Sequence, residues 1–170
     1  MKFVMNGSLI IGTMDGANVE IAEEIGKENM FIFGKDVQGV NDARKQMWEG
    51  NRNYIGSRLR RVFDSIRNGL FGDVSCVGGI LNALENGGDH YIVCWDFYSY
   101  LEAQEEADRV YKDYAEWTRR AIHGVAYSGK FSSDRTIGEY CKEIWQIEPV
   151  ETPKPSTTAH ARVRSFANLE

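Results

Sequence analysis

Short apolar runs closed by glycine mark the first third of the chain, and helical spacing takes over after it. Ser8-Leu9-Ile10-Ile11-Gly12-Thr13 is a brief apolar run between glycines, which predicts a buried strand. Met14-Asp15-Gly16-Ala17-Asn18 follows as a tight turn, with Asp15 or Asn18 expected to cap the next helix. In that helix Val19, Ala22 and Ile25 are spaced for one apolar face, and Gly26 is its expected stop. Met30-Phe31-Ile32-Phe33-Gly34 predicts a second strand. Strand, helix and strand this close together predict a βαβ unit with parallel strands and a right-handed crossover.

Asp36 to Trp48 is weakly periodic and predicts a helix ending by Gly50. Arg58 to Leu70 is clearer, because Leu59, Val62, Phe63, Ile66 and Leu70 share one helical face. Ile80, Leu81 and Leu84 predict a short helix that stops near Gly87-Gly88, and Tyr91-Ile92-Val93-Cys94-Trp95 predicts a third strand. Helices are expected over Ser99 to Lys112 and Ala115 to Ala126, with a turn near Lys112-Asp113. A last helix, capped by Ser132, Ser133 or Asp134, carries Ile137, Tyr140, Cys141, Ile144 and Trp145 as a core-facing stripe. From about Glu148 onward Pro149, Pro153 and Pro155 sit among Ser, Thr and Ala, so residues 150–170 read as an irregular or disordered tail. The class is α/β, with few parallel strands and a helix-rich C-terminus. Three parallel strands need helices on both faces and leave an open edge, which predicts the later half of a larger doubly wound domain.

Composition narrows the partners. The 170 residues suit one domain or a large piece of one. Twenty Lys and Arg against 25 Asp and Glu give a net charge of -5 with no basic block, which argues against nucleic acid or an anionic membrane as main partner. No run approaches the ~18 apolar residues of a membrane span. The opening Met1 to Gly7 turns polar too soon for a signal peptide. Cys76, Cys94 and Cys141 lack metal spacing and read as reduced thiols in a cytoplasmic compartment.

Read without any family, the chemistry is sparse. There is no phosphate-binding Walker loop, no His-Glu-x-x-His, no Gly-x-Ser-x-Gly and no Cys-x-x-Cys. Gly12-Thr13-Met14-Asp15-Gly16 lies at the carboxyl end of a predicted strand, where open α/β sheets bind ligands, although turn chemistry alone explains it. Ser128 to Arg135, with Lys130 and Arg135, is a polar helix start that suits either simple capping or a phosphate. His90, His123 and His160 lack ligand spacing, and no metal site is expected. Glu102, Glu105, Glu106 and Asp108 read as a solvated helix face, and Lys2 on these grounds is an exposed terminal lysine.

Three strings carry a resemblance. Met1-Lys2-Phe3-Val4-Met5-Asn6-Gly7, continuing through Gly12-Thr13-Met14-Asp15-Gly16-Ala17-Asn18 to Ile21, is the first. Asn29 to Gly34 is the second. Glu116-Trp117-Thr118-Arg119, with Ser128-Gly129-Lys130-Phe131-Ser132-Ser133-Asp134-Arg135-Thr136-Ile137 and Glu143-Ile144-Trp145, is the third. In order and spacing they resemble the C-terminal end of the α-glucan (glycogen and starch) phosphorylases, from Met1 to about Pro149.

The resemblance implies that residues 1–149 are the latter part of a Rossmann-like C-terminal domain in a two-domain glycosyltransferase-B enzyme. The family releases glucose 1-phosphate from α-1,4-glucans using inorganic phosphate. It carries pyridoxal 5′-phosphate on a lysine as a Schiff base and uses the cofactor's own phosphate to handle the proton. Lys2 matches that lysine and is the one cofactor-binding residue the resemblance transfers. Asp15, Gly16 and Asn18 match a characteristic string, for which a structural role in turning the chain beneath the cofactor is expected. The family's Gly-rich segment before the lysine, its basic substrate-phosphate residues and its N-terminal domain, with most regulatory sites and the usual homodimer contacts, find no match in this sequence. One lysine does not rebuild a closed cleft, so the isolated chain is expected to be inactive. The alternatives are a non-catalytic phosphorylase-like product acting as an interaction module, and an unrelated Rossmann-like nucleotide binder. The absent Gly-x-Gly-x-x-Gly counts against the last.

Overall fold

Both early apolar runs form strands, each only two residues long. A computed structural model describes residues 1–51, 54–148 and 150. Strands β1 (Ile11–Gly12) and β2 (Phe31–Ile32) pair in parallel, Ile11 opposite Phe31 and Gly12 opposite Ile32. The flanking Phe33 N–H also donates to the Gly12 carbonyl. Helix α1 (Ala17–Ile25) connects them and ends at Gly26, whose φ of 83° is a conformation glycine adopts without strain. Its buried face is Ile21, Ala22 and Ile25, while Val19 stays at the surface.

The expected cap of α1 takes a different form. Neither Asp15 nor Asn18 caps it; the cap position is Gly16, with no side-chain hydrogen bond. The Asn18 amide instead reaches back and donates to the Thr13 carbonyl at 2.9 Å.

Three helices follow in the first compact unit, Met1–Phe131. In α2 (Val37–Trp48) the Asp36 carboxylate caps the start by accepting from the Gly39 N–H. In α3 (Ser57–Arg67) Leu59 and Phe63 are buried as the periodicity predicts, whereas Val62 is exposed and Leu70 lies beyond the helix end. Helix α4 (Val74–Glu85) is longer than its short apolar signature, and the Arg67 guanidinium donates to Glu85 across the α3–α4 pair. Buried Ala43, Met47, Leu59, Phe63 and Leu81 join Ile92 and Cys94 in one core. Each large side chain so buried contributes about 1.5–3 kcal/mol.

The third strand expected at Tyr91–Trp95 is absent: Val93 begins α5 (Val93–Lys112), so the described sheet has two strands. A loop upstream sets this. Asp89 and Ile92 take left-handed backbone angles, and the buried Asp89 carboxylate accepts from the N–H groups of both Val93 and Cys94 at 2.9 and 2.8 Å. Two otherwise unpaired helix-start donors are thereby satisfied, and the apolar run is committed to a helix. Helix α6 (Tyr114–Tyr127) follows one residue after α5, capped by the Asp113 carboxylate at the Glu116 N–H. Val110 and Ala103 of α5 bury Phe31 of the sheet, with Trp117 of α6 stacked beside it.

The second unit begins at Ser132. It contains α7 (Ser133–Glu139) and a π-helical turn over Tyr140–Trp145, and neither has a buried residue. Ser132 is the cap position but makes no side-chain capping bond. The expected core-facing stripe therefore stands open: Ile137, Tyr140, Ile144 and Trp145 are exposed. Periodicity marked a face able to bury, and nothing described within the second unit covers it. The tail expected at 150–170 lies outside the described residues except for Val150.

Candidate functional site

Lys2 stands on a turn fastened to the core by its neighbours. Val4 is buried at 1% exposure and packs beside Gly124 of α6, where a Cβ would lie in ordinary contact with Val4 Cγ1 at 3.5 Å. A 3-10 turn, Val4–Asn6, follows, and Gly7 closes it in a left-handed conformation. The Asn6 side-chain amide donates to the Lys2 carbonyl at 2.7 Å, and the Met5 N–H donates to that of Met1. The Lys2 backbone is thus held while its side chain stays exposed.

The loop after β1 is built around Asn18. A Cβ on Gly12 would stand 2.6 Å from the Asn18 amide nitrogen, so the bond to Thr13 needs glycine there. Gly16 has φ 48°, and Asp15 is exposed. Of the three residues in this characteristic string, Asn18 and Gly16 shape the turn directly.

At the carboxyl ends of both strands lies a cleft of about 460 Å³. Phe33, Phe97, Tyr100, Val93 and Tyr91 give it apolar walls, with Thr13 and Asp96 as its other lining residues. Phe33 and Tyr100 meet edge to face at 5.1 Å, and the Gly34 N–H donates to the Ser99 hydroxyl beside them. Asp96 is buried, and desolvation pushes its carboxyl above the usual range against the pull of Lys35. Sequence reading reached this end of the strands but missed Asp96, which follows directly on the run Tyr91–Trp95 expected as a third strand. Lys2 is not among the residues lining this cleft.

The basic residues of the Ser128–Arg135 string are engaged. Lys130 Nζ pairs with Glu24 of α1 at 2.7 Å, and Arg135 pairs with Glu139 one turn along α7. Capping by side chains is also absent at α7, so this string acts through ion pairs. His90 is exposed against Tyr91, and His160 lies outside the described residues. His123 does more than its spacing suggested: its Nδ1 lies 3.3 Å from the amide nitrogen of buried Asn29, and its ring stacks on Tyr127. Of Glu102, Glu105, Glu106 and Asp108 on α5, Glu106 pairs with Arg109 and the others are exposed. Among the described residues no three His, Cys, Asp or Glu side chains gather to hold a metal ion, and no helix is long and apolar enough to cross a membrane.

The pyridoxal phosphate implied by the resemblance needs an accessible primary amine and donors for its phosphate. Lys2 fits the first, an exposed amine on an anchored turn. The fit is to covalent attachment; Lys130 is already bound to a carboxylate.

Comparison with known proteins agrees in direction. The sequence model of the carbohydrate phosphorylases matches residues 1–147. The chain is 44% identical over 166 residues to glycogen phosphorylase 2 of Dictyostelium discoideum, covering 98% of this chain and 17% of that protein. It is 46% identical over 158 residues to the chloroplastic/amyloplastic α-1,4 glucan phosphorylase L isozyme of Ipomoea batatas, covering 90% and 16%. Against the cytosolic α-glucan phosphorylase 2 of Arabidopsis thaliana identity is 45% over 158 residues, covering 90% and 18%. The chain spans less than a fifth of the length of these relatives.

Proposed function

The chain belongs to the carbohydrate phosphorylase family, and we propose that it is a C-terminal portion of a pyridoxal-phosphate-dependent α-glucan phosphorylase. The reaction class is release of glucose 1-phosphate from an α-1,4-glucan by inorganic phosphate. Residues 1–149 are read as the latter part of a Rossmann-like, glycosyltransferase-B C-terminal domain, and 150–170 as a tail apart from it. The observation that carries this reading is the family match across residues 1–147, which includes the Lys2 string.

In this reading Lys2 holds the cofactor through its side-chain amine. Val4 anchors the turn in the core, Asn6 fixes the Lys2 carbonyl, and Asn18 folds the loop after β1. When bound, the cofactor supplies a phosphate that handles the proton beside the substrate phosphate. The family's groups for gripping substrate phosphate and sugar find no match here, so this chain by itself is read as inactive. The complete enzyme is read as a cytoplasmic homodimer whose usual contacts lie outside this chain, acting on glucan and phosphate rather than on nucleic acid or membrane.

A second reading, a non-catalytic interaction module, draws support from the uncovered stripe Ile137, Tyr140, Ile144 and Trp145. Cofactor incorporation separates the two. The chain is expressed with pyridoxal phosphate, reduced with borohydride, and mapped by mass spectrometry. A stoichiometric adduct confined to Lys2 is expected. Absent labelling, or labelling scattered over many lysines, overturns the cofactor role and leaves the module.

A further inference from the structure

Lys2 does not line the cleft at the carboxyl ends of β1 and β2, and the function proposed above makes no use of that cleft. Its volume of about 460 Å³ falls within the roughly 300–1,000 Å³ of small-molecule sites, and its walls are largely aromatic. Asp96 is its one charged lining residue and is only 8% exposed. Its Oδ1 is buried without a hydrogen-bond partner. Lys35 donates a backbone hydrogen bond to this carboxylate and attracts it with its charge, but among the described residues the Asp96 side chain makes no ion pair, and the Lys35 ammonium stands over the Trp95 ring, 5.5 Å from its centroid. Buried carboxylates in folded proteins are ordinarily ion-paired or fully hydrogen-bonded, and Lys35 meets that demand here only in part, leaving Oδ1 unpartnered.

We propose that this cleft is a binding site for a small organic cation with a flat apolar body, its positive head meeting the Asp96 carboxylate and its body lying against Phe33, Phe97 and Tyr100. A neutral donor would satisfy one oxygen but leave the charge. A cation meets both needs, because charge-assisted hydrogen bonds are about twice as strong as neutral ones and aromatic walls attract cations as well as apolar rings.

Benzamidinium and its neutral near-isostere benzamide test this on the intact chain, by amide NMR at Thr13 and Gly34. Saturable shifts at these residues are expected with benzamidinium, with benzamide at least about ten-fold weaker. Asp96→Asn should bring the two probes within about two-fold of each other. Equal affinity of the two probes for the wild-type chain, or no saturable shift with benzamidinium, overturns the proposal. That comparison needs no variant, so it stands even if Asp96→Asn does not fold.

Discussion

Gly34 is packed so closely on Asp96 that a Cβ built on the glycine would stand 2.8 Å from the carboxylate Oδ2 and 2.9 Å from the Thr13 methyl. Its φ of 78° is a conformation few other residues adopt. The bend after β2 and the helix that carries Asp96 therefore meet only because this position has no side chain.

Gly34→Ala is accordingly expected to destabilise the first unit by at least about 1 kcal/mol, from backbone strain alone. The contact with Asp96 adds to it. Urea unfolding of the two chains checks this, and an unchanged midpoint would mean that the bend relaxes freely.

Phe63→Ala should be the most damaging truncation on α3. The ring is 2% exposed amid Leu59, Met47 and Leu81. Loss of about 3–5 kcal/mol is expected, read by denaturant midpoint, whereas Val62→Ala on the same helix should move it by less than about 1 kcal/mol.

The thiols should separate by reactivity. Cys76 is exposed, while Cys94 is buried and its thiol is pushed up to about 12 by desolvation first and by the Asp89 carboxylate second. Ellman's reagent at neutral pH should titrate Cys76 promptly and Cys94 only after unfolding. Prompt reaction of Cys94 in the native chain would contradict the buried helix start.

Acid sensitivity should include Glu116. Hydrogen bonds from Arg119 first, then Arg120, hold its carboxyl at about 2 against the usual 4.5. A depressed carboxyl contributes stability above its unfolded value and loses it as pH falls from 4.5 through 2. Glu116→Gln should therefore flatten the acid limb of a thermal-stability profile across that window and converge with wild type below it. The cluster is partly open to solvent, so the effect should also shrink with added salt.

Sequence reading succeeded where one local rule acted alone. Asp36 before α2, Asp113 before α6 and Gly26 after α1 each announced a boundary that the backbone obeys. Leu59 and Phe63 were placed in the core by spacing. It failed where a contact beyond the local window took over. The run Tyr91–Trp95 suits strand or helix equally, and the Asp89 carboxylate, reaching four and five residues forward, selected helix. Asn18 had the chemistry of a cap and used it on Thr13 instead. The α7 stripe was read as core because periodicity reports what a face can do, not what lies against it. The cleft stayed invisible because Thr13, Phe33 and Asp96 meet only after the chain has folded back twice.

The four tryptophans amount to a built-in set of optical probes with unequal views of folding. Trp48 is 90% exposed and should emit at long wavelength whether the chain is folded or not. Trp95, stacked on Tyr54, and Trp117, wedged between Phe31 and Tyr111, should carry nearly all the spectral change when the first unit melts. Trp145, half exposed beside Tyr140, reports on the second unit alone. Replacing Trp48 by Phe would thus remove background light and leave the folding signal almost intact.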